Sequence, residues 1–278
     1  DDVEIKSLEL NEGYKYFGMM ESNGIHDKTM RDKVKKEYYH RIRTILRTQL
    51  NSRNKMMAIN SLAIPVIGYS FGVLKWSKTE IEEMDRQTRK ILTINGMHHP
   101  KADVSRLYIK RKNGGRGLLE LMSVYKQIIV GIAEYIKIQD GRMMKILARN
   151  NLLKKRYSIQ KEANQIENHY LISASNSIKE LISKLNNVME AEKIEEIKNK
   201  PLNGQFFSEL DKQGIDEEAT MWWLNKSGLK GETESLLVAG QDQVLKTRYY
   251  QKHILKFSVS SVCRICHKAE EHINHLIA

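Results

Sequence analysis

Met30, Val34, Tyr38, Ile42, Ile45 and Leu46 recur at the three-to-four-residue spacing of one helix face. The same spacing returns through most of the 278-residue chain, while period-two alternation is confined to short stretches. Only 3 prolines interrupt the pattern. At 41% hydrophobic residues the chain can fill a core, so a mainly α protein is expected.

The first helix is predicted over 27–50 and a second from about Arg53, with Pro65 removing a backbone donor and kinking or ending it. A third begins near Ser77 or Thr79, where Ser77-x-x-Glu80 and Thr79-x-x-Glu82 both fit a capping box. These three should pack as a compact bundle. Further helices are predicted over 123–138, 142–154, 159–198, 217–225, 232–240 and 241–256. The weakest joint falls near 198–204, around Pro201 and Gly204. Trp222-Trp223 reads as a core plug. Residues 1–25 read as extended pieces around turns, with Tyr14, Lys15, Tyr16, Phe17 and Gly18 suited to a β-hairpin packed on the first helix.

A net charge of +12 points to a polyanionic partner. The charge is clustered: residues 28–55 carry ten Lys or Arg against Asp32 and Glu37, while 1–27 and 158–220 are each −5. On the helix at 27–50, Lys33, Lys36, His40, Arg43 and Arg47 form a stripe opposite the apolar face. The stripe suits either phosphate contact or a solvated surface. Arg53 and Lys55 continue the run. Arg111-Lys112-Asn113-Gly114-Gly115-Arg116-Gly117 is a basic glycine-rich loop, either a phosphate-holding loop or a plain turn; no Gly-Lys-Ser/Thr follows, so it is not a P-loop. No signal peptide and no membrane span is visible; the longest apolar stretch, 62–74, is short and broken by Pro65, Gly68 and Gly72.

The two cysteines, Cys263 and Cys266, have two residues between them, with His275 downstream. Soft thiolates with an imidazole are a zinc donor set, and the alternative is two free thiols. Three good ligands predict a weak or open Zn2+ site, and His267 and His272 lie nearby.

Tyr14-Lys15-Tyr16-Phe17-Gly18 resembles a segment that follows the palm in non-LTR (LINE-type) retrotransposon reverse transcriptases. Lys35-Lys36-Glu37-Tyr38-Tyr39, Lys55-Met56-Met57-Ala58-Ile59-Asn60, Ile64-Pro65-Val66-Ile67 and Met84-Asp85-Arg86-Gln87-Thr88-Arg89-Lys90 are similar to the family's thumb. His99-Pro100-Lys101-Ala102-Asp103, Arg106-Leu107-Tyr108 and Gly114-Gly115-Arg116-Gly117-Leu118 resemble a block after it. Gly204-Gln205-Phe206-Phe207, Trp223-Leu224, Lys230-Gly231-Glu232-Thr233-Glu234 and Gln241-Asp242-Gln243 resemble the linker before a zinc knuckle. The similarity runs in one order along nearly the whole chain.

The resemblance implies a division into the end of the palm with a primer grip (1–25), a thumb bundle (26–96), a basic loop block (97–120), a helical linker (121–200) and a helical segment with a truncated Cys-Cys-His-Cys knuckle (201–278). It implies that Tyr14 to Gly18 hold the primer end, that the thumb follows the template–primer duplex, and that Arg111, Lys112 and Arg116 touch backbone phosphates. The expected partners are RNA template, DNA primer and target DNA, in the nucleus. The chain is expected to be a fragment: the catalytic aspartates and their Mg2+ belong to a palm upstream, and the knuckle's last Cys falls beyond Ala278. Asp1-Asp2 stands too close to Tyr14 to be that catalytic pair and is expected at the surface. The alternatives are a non-catalytic nucleic-acid-binding helical module from a decayed or domesticated element, and a helical scaffold for an acidic protein or membrane.

Overall fold

The computed structural model describes residues 14–16, 19–21, 27–153, 158–172, 175 and 177–277. It is mainly helical, as the apolar spacing requires. In order the helices are α1 (Asp27–Leu46), α2 (Ser52–Ala58), α3 (Ile64–Phe71), α4 (Lys78–Ile94), α5 (Ser105–Tyr108), α6 (Leu121–Ile138), α7 (Arg142–Leu153), α8 (Ile159–His169), α9 (Ile178–Lys198), α10 (Gln205–Leu210), α11 (Glu217–Lys226), α12 (Gly231–Gln241) and α13 (Ile273–Ile277).

The expected N-terminal hairpin gains little support. Tyr14–Tyr16 pairs antiparallel with Met19–Glu21, three residues a strand, too short to stand alone. Phe17 and Gly18, like Asp1 and Asp2, lie outside the described residues, as do the side chains of Tyr14, Lys15 and Tyr16.

The second helix is interrupted just ahead of Pro65, as the proline leads one to expect: α2 stops at Ala58. Ile59–Ala63 forms a π-helical turn, and Pro65 then sits in the first turn of α3, where its missing N–H costs nothing. Ser77 caps α4 through the expected box with Glu80. The single helical run expected over 159–198 is two helices, and Ser177 caps the second through Glu180 N–H. The helix expected over 241–256 is replaced by a C-cap at Asp242, a left-handed Gln243 (φ 59°) and a five-residue π-helical turn, Tyr250–Ile254.

One apolar cluster joins α1 to α4 with α6, α8 and α9; Tyr38, Ile42, Ile59, Ile81, Leu121, Ile129 and Leu185 all lie in it. The bundle of the first helices therefore shares its core with the middle ones. Asp85 of α4 fastens α6 by accepting the backbone N–H of Leu121 (3.0 Å) and Met122 (3.3 Å). Burial pushes its carboxyl up to about 7 despite those two donors. A second cluster gathers Ala102, Met221, Leu224, Val238, Val244 and Tyr250. A third, of Ile109, Ile197 and Phe207, sits at the 198–204 joint and makes it a packed corner. The tryptophan pair divides: Trp223 packs against the second cluster, but Trp222 is 60% exposed and plugs nothing.

Candidate nucleic-acid interface and metal centre

Helix α1 presents its two faces as its periodicity predicts. Tyr38, Ile42, Ile45 and Leu46 are buried, while Lys33, Lys36, His40, Arg43 and Arg47 are exposed. At 1.5 Å per residue the stripe spans roughly 21 Å, a length of duplex that carries about six phosphates on each strand. Other cations of the helix are already engaged. Arg31 and Lys35 pair with Glu80 at 3.3 and 3.2 Å, and Arg41 reaches Glu37 (2.6 Å) and Leu62 O (2.9 Å). The stripe residues have no carboxylate partner among the described residues; Arg43 stands 5.9 Å above the Tyr39 ring. Arg53, in the first turn of α2, is also exposed.

Five expected contacts are corrected. Lys55 is half-buried, and its ammonium donates to Leu46 O (2.8 Å), closing the C-terminus of α1. Arg116 is buried: it pairs with Glu234 (2.8 Å) and donates to Ser52 Oγ (2.7 Å) and to Met97 O. Arg111 pairs with both oxygens of Glu234 and donates to Leu224 O (2.7 Å). Neither guanidinium is free for a phosphate. Gly114 and Gly115 are buried too, so they make room for protein and not for a ligand. Of the loop's expected phosphate contacts only Lys112 stays exposed.

The loop is instead one side of a buried polar junction with α12. Burial works to raise the Glu234 carboxyl, yet Arg116 and Arg111 outweigh it and hold it below the usual carboxylate range. Beside it Arg106, which no sequence motif marks by its chemistry, pairs with Asp242 at 2.5 Å and donates to Gly114 O (2.9 Å). Its guanidinium lies 4.6 and 5.3 Å from the Phe206 and Phe207 rings. Burial pushes Arg106 below its ordinary range and Asp242 above it, Asp242 only partly held back by Arg106. Two of the quoted segments, 106–108 and 114–118, thus meet 241–243 and 230–234 respectively, each across more than a hundred residues of chain.

The cysteine tail forms a second locus. Cys263 N–H donates to Ala269 O (2.8 Å), and Val262 bridges Glu270, bending the chain through a left-handed His267 (φ 56°). Helix α13 then returns His275 so that its Nε2 lies 3.2 Å from Cys266 Sγ. The ligand atoms of Cys263, Cys266 and His275 all fall within 4.8 Å of one another. A tetrahedral ion with about 2.3 Å to sulfur and 2.0 Å to nitrogen separates its ligands by roughly 3.5–4 Å, so this group can hold a metal ion. His272 accepts the His275 backbone N–H at Nδ1 (3.1 Å), and His267 is exposed; neither belongs to the group. Glu271 braces the bend through Arg264 (2.8 and 2.6 Å) and the backbone N–H of Arg248 and Arg264 (3.1 Å each). Arg264 above all pulls its carboxyl down to about 2.

The N–H groups of Lys268 and Ala269, with a further contribution from His275, pull the Cys266 thiol down to about 7. Metal binding is therefore expected to hold at pH 8 and to weaken about tenfold per pH unit, or more steeply, below pH 7, as protons compete for sulfur. Co2+ titration checks this: thiolate-to-cobalt absorption should appear and vanish in Cys263→Ser. Absorption unchanged in that variant would remove Cys263 from the site.

The fold and these two loci define a helical protein with a helix face whose exposed cations have no carboxylate partner among the described residues, and a Cys-Cys-His group. No family model and no curated protein matches the chain. Among the described residues no helix is long and apolar enough to cross a membrane.

Proposed function

We propose that this chain is the template–primer-binding part of a non-LTR retrotransposon RNA-directed DNA polymerase. In this reading α1 to α4 are the thumb, and the α1 stripe lies along the phosphates of an RNA–DNA duplex. The chain contributes grip, and the metal-bearing carboxylates belong to a palm upstream. Residues 14–18 would steady the primer end. The Cys-Cys-His group would take Zn2+ and order the tail near target DNA, in the nucleus. The observation that carries the reading is the roughly 21 Å of α1 along which Lys33, Lys36, Arg43 and Arg47 stay exposed and, among the described residues, without a carboxylate partner, while Arg31, Lys35 and Arg41 are neutralised. Coulomb attraction left unsatisfied on one face is what a phosphate backbone answers.

Five phosphate contacts, from those four and Arg53, predict a salt slope of about −4 to −5 for an RNA–DNA hybrid. Substituting Lys36, Arg43 and Arg47 together by Ala should make the slope shallower by about 2.7 and weaken all sequences alike. Fluorescence anisotropy across a salt series reads both. An unchanged slope in the triple variant would remove α1 from the interface.

A further inference from the structure

A cavity of about 380 Å³ opens between the tail and the second apolar cluster, away from α1. Tyr249, Tyr250 and His272 wall it, and Gln243, Glu270 and Asn274 line it with polar atoms. We infer that this cavity receives one unstacked nucleobase of a single strand, and prefers a base with an exocyclic amine over uracil or thymine. The inference rests on the nucleic-acid reading above but uses a different surface.

The volume suits a base with part of its sugar, at the small end of ligand cavities. Tyr249 is half-buried and lies against His253 with ring centres 4.4 Å apart and planes tilted by 33°; His272 meets it edge-on at 6.0 Å. The ring is thereby held as a platform at small entropic cost, which is how sequence-tolerant strand binding is built. Gln243 Nε2 donates to Asn274 Oδ1 at 3.1 Å. That bond leaves Gln243 Oε1 as an acceptor and Asn274 Nδ2 as a donor, side by side, with no protein partner among the described residues. Glu270 spends one oxygen on Ser261 (2.8 Å) and His253 (3.5 Å) and keeps the other.

Two acceptors and one donor suit the amine-bearing edges of adenine, cytosine and guanine, whereas uracil offers a single N3–H between two carbonyls and so sets a carbonyl against one of the acceptors. The Glu270 carboxylate also keeps phosphate out of the cavity. The stretch of chain that supplies Gln243, Thr247, Tyr249 and Glu270 to the cavity also carries Lys246, Arg248, Lys252, Lys256 and Lys268, with no acid between Asp242 and Glu270 to offset them for a strand's phosphates. A base inside the cavity and cations on the same stretch of chain favour a nucleotide within a strand over a free apolar ligand.

The test uses the full chain with fluorescent ten-nucleotide homopolymers and, in parallel, an RNA–DNA hybrid. Oligo(A) and oligo(C) should bind at least fivefold more tightly than oligo(U). Tyr249→Ala should weaken oligo(A) about tenfold and leave the hybrid unchanged, and Tyr249→Phe should restore binding because the ring remains. Glu270→Gln should erase the preference against oligo(U). Equal loss in Tyr249→Ala and Tyr249→Phe, or no loss in either, overturns the platform. An undiminished preference in Glu270→Gln overturns the reading of the edge. Failure of the α1 triple variant with these results intact would overturn the duplex interface alone.

Discussion

Glu234→Ala is expected to lower the unfolding free energy by about 3–5 kcal/mol, because it strands two guanidiniums in the interior. The Glu234 side chain is 1% exposed, and Arg116 and Arg111 are 1% and 11% exposed at their side chains. Removing the carboxylate leaves Arg116 with Ser52 and Met97 O but no opposite charge. Water cannot reach it without opening the contact between α12 and the 111–117 loop. Glu234→Gln should cost less, since it keeps an acceptor while losing the charge. The pH dependence has a definite sign. Glu234 is held below its ordinary value near 4.5, so its contribution is present above that value and is lost as pH falls through the depressed folded value. Denaturant unfolding of wild type and Glu234→Ala from pH 7 to pH 3 should show the gap narrowing on acidification. A loss under 1 kcal/mol at pH 7 would show the junction to be wet or redundant.

Gly115→Ala should destabilise by at least about 3 kcal/mol, through overpacking against backbone. A Cβ there would lie 2.1 Å from Ile109 O and 2.5 Å from Ile109 C. Those atoms cannot yield as a side chain would. They are held by the loop's own bonds: Gly115 N–H to Lys110 O (3.1 Å), Arg116 N–H to Arg106 O (2.9 Å) and Gly117 N–H to Ile109 O (2.8 Å). Shifting them would also drag Arg116 from Glu234. Gly141→Ala is the control, since nothing lies within 4 Å of the added methyl, and it should stay within about 0.5 kcal/mol of wild type. Comparable stability of the two variants in denaturant would show that the loop relaxes.

These two effects sit where reading from sequence stopped short. The glycines at 114 and 115 signalled a close approach, and one exists, but the approaching groups are Ile109, Met221 and Phe207. The arginines at 111 and 116 signalled an anion, and one is present, but it is a carboxylate 118 and more residues downstream. A basic glycine-rich loop has the same composition whether its anion is a ligand phosphate or a buried glutamate. The same limit applied to Lys55, whose partner carbonyl closes a neighbouring helix.

What could be read locally was read well. The Ser77–Glu80 box, the two faces of α1 and the cysteine spacing each depend on residues within a few turns of one another. Breaks set by left-handed residues such as Leu171 (φ 52°) and Gln243 (φ 59°) escaped notice, because neither is a glycine. Trp222 escaped because an aromatic pair on a short helix cannot place both rings on one face.

The sequence by itself determined that the chain is helical, which face of α1 is apolar, and which three soft ligands could meet. Backbone propensity, side-chain periodicity and short loop closures act over few residues, so residue order suffices to specify them. Only the tertiary structure decided which cations remain free. Charge pairing depends on separation through space, and Glu80, Glu234 and Asp242 reach their arginines only after the helices have packed.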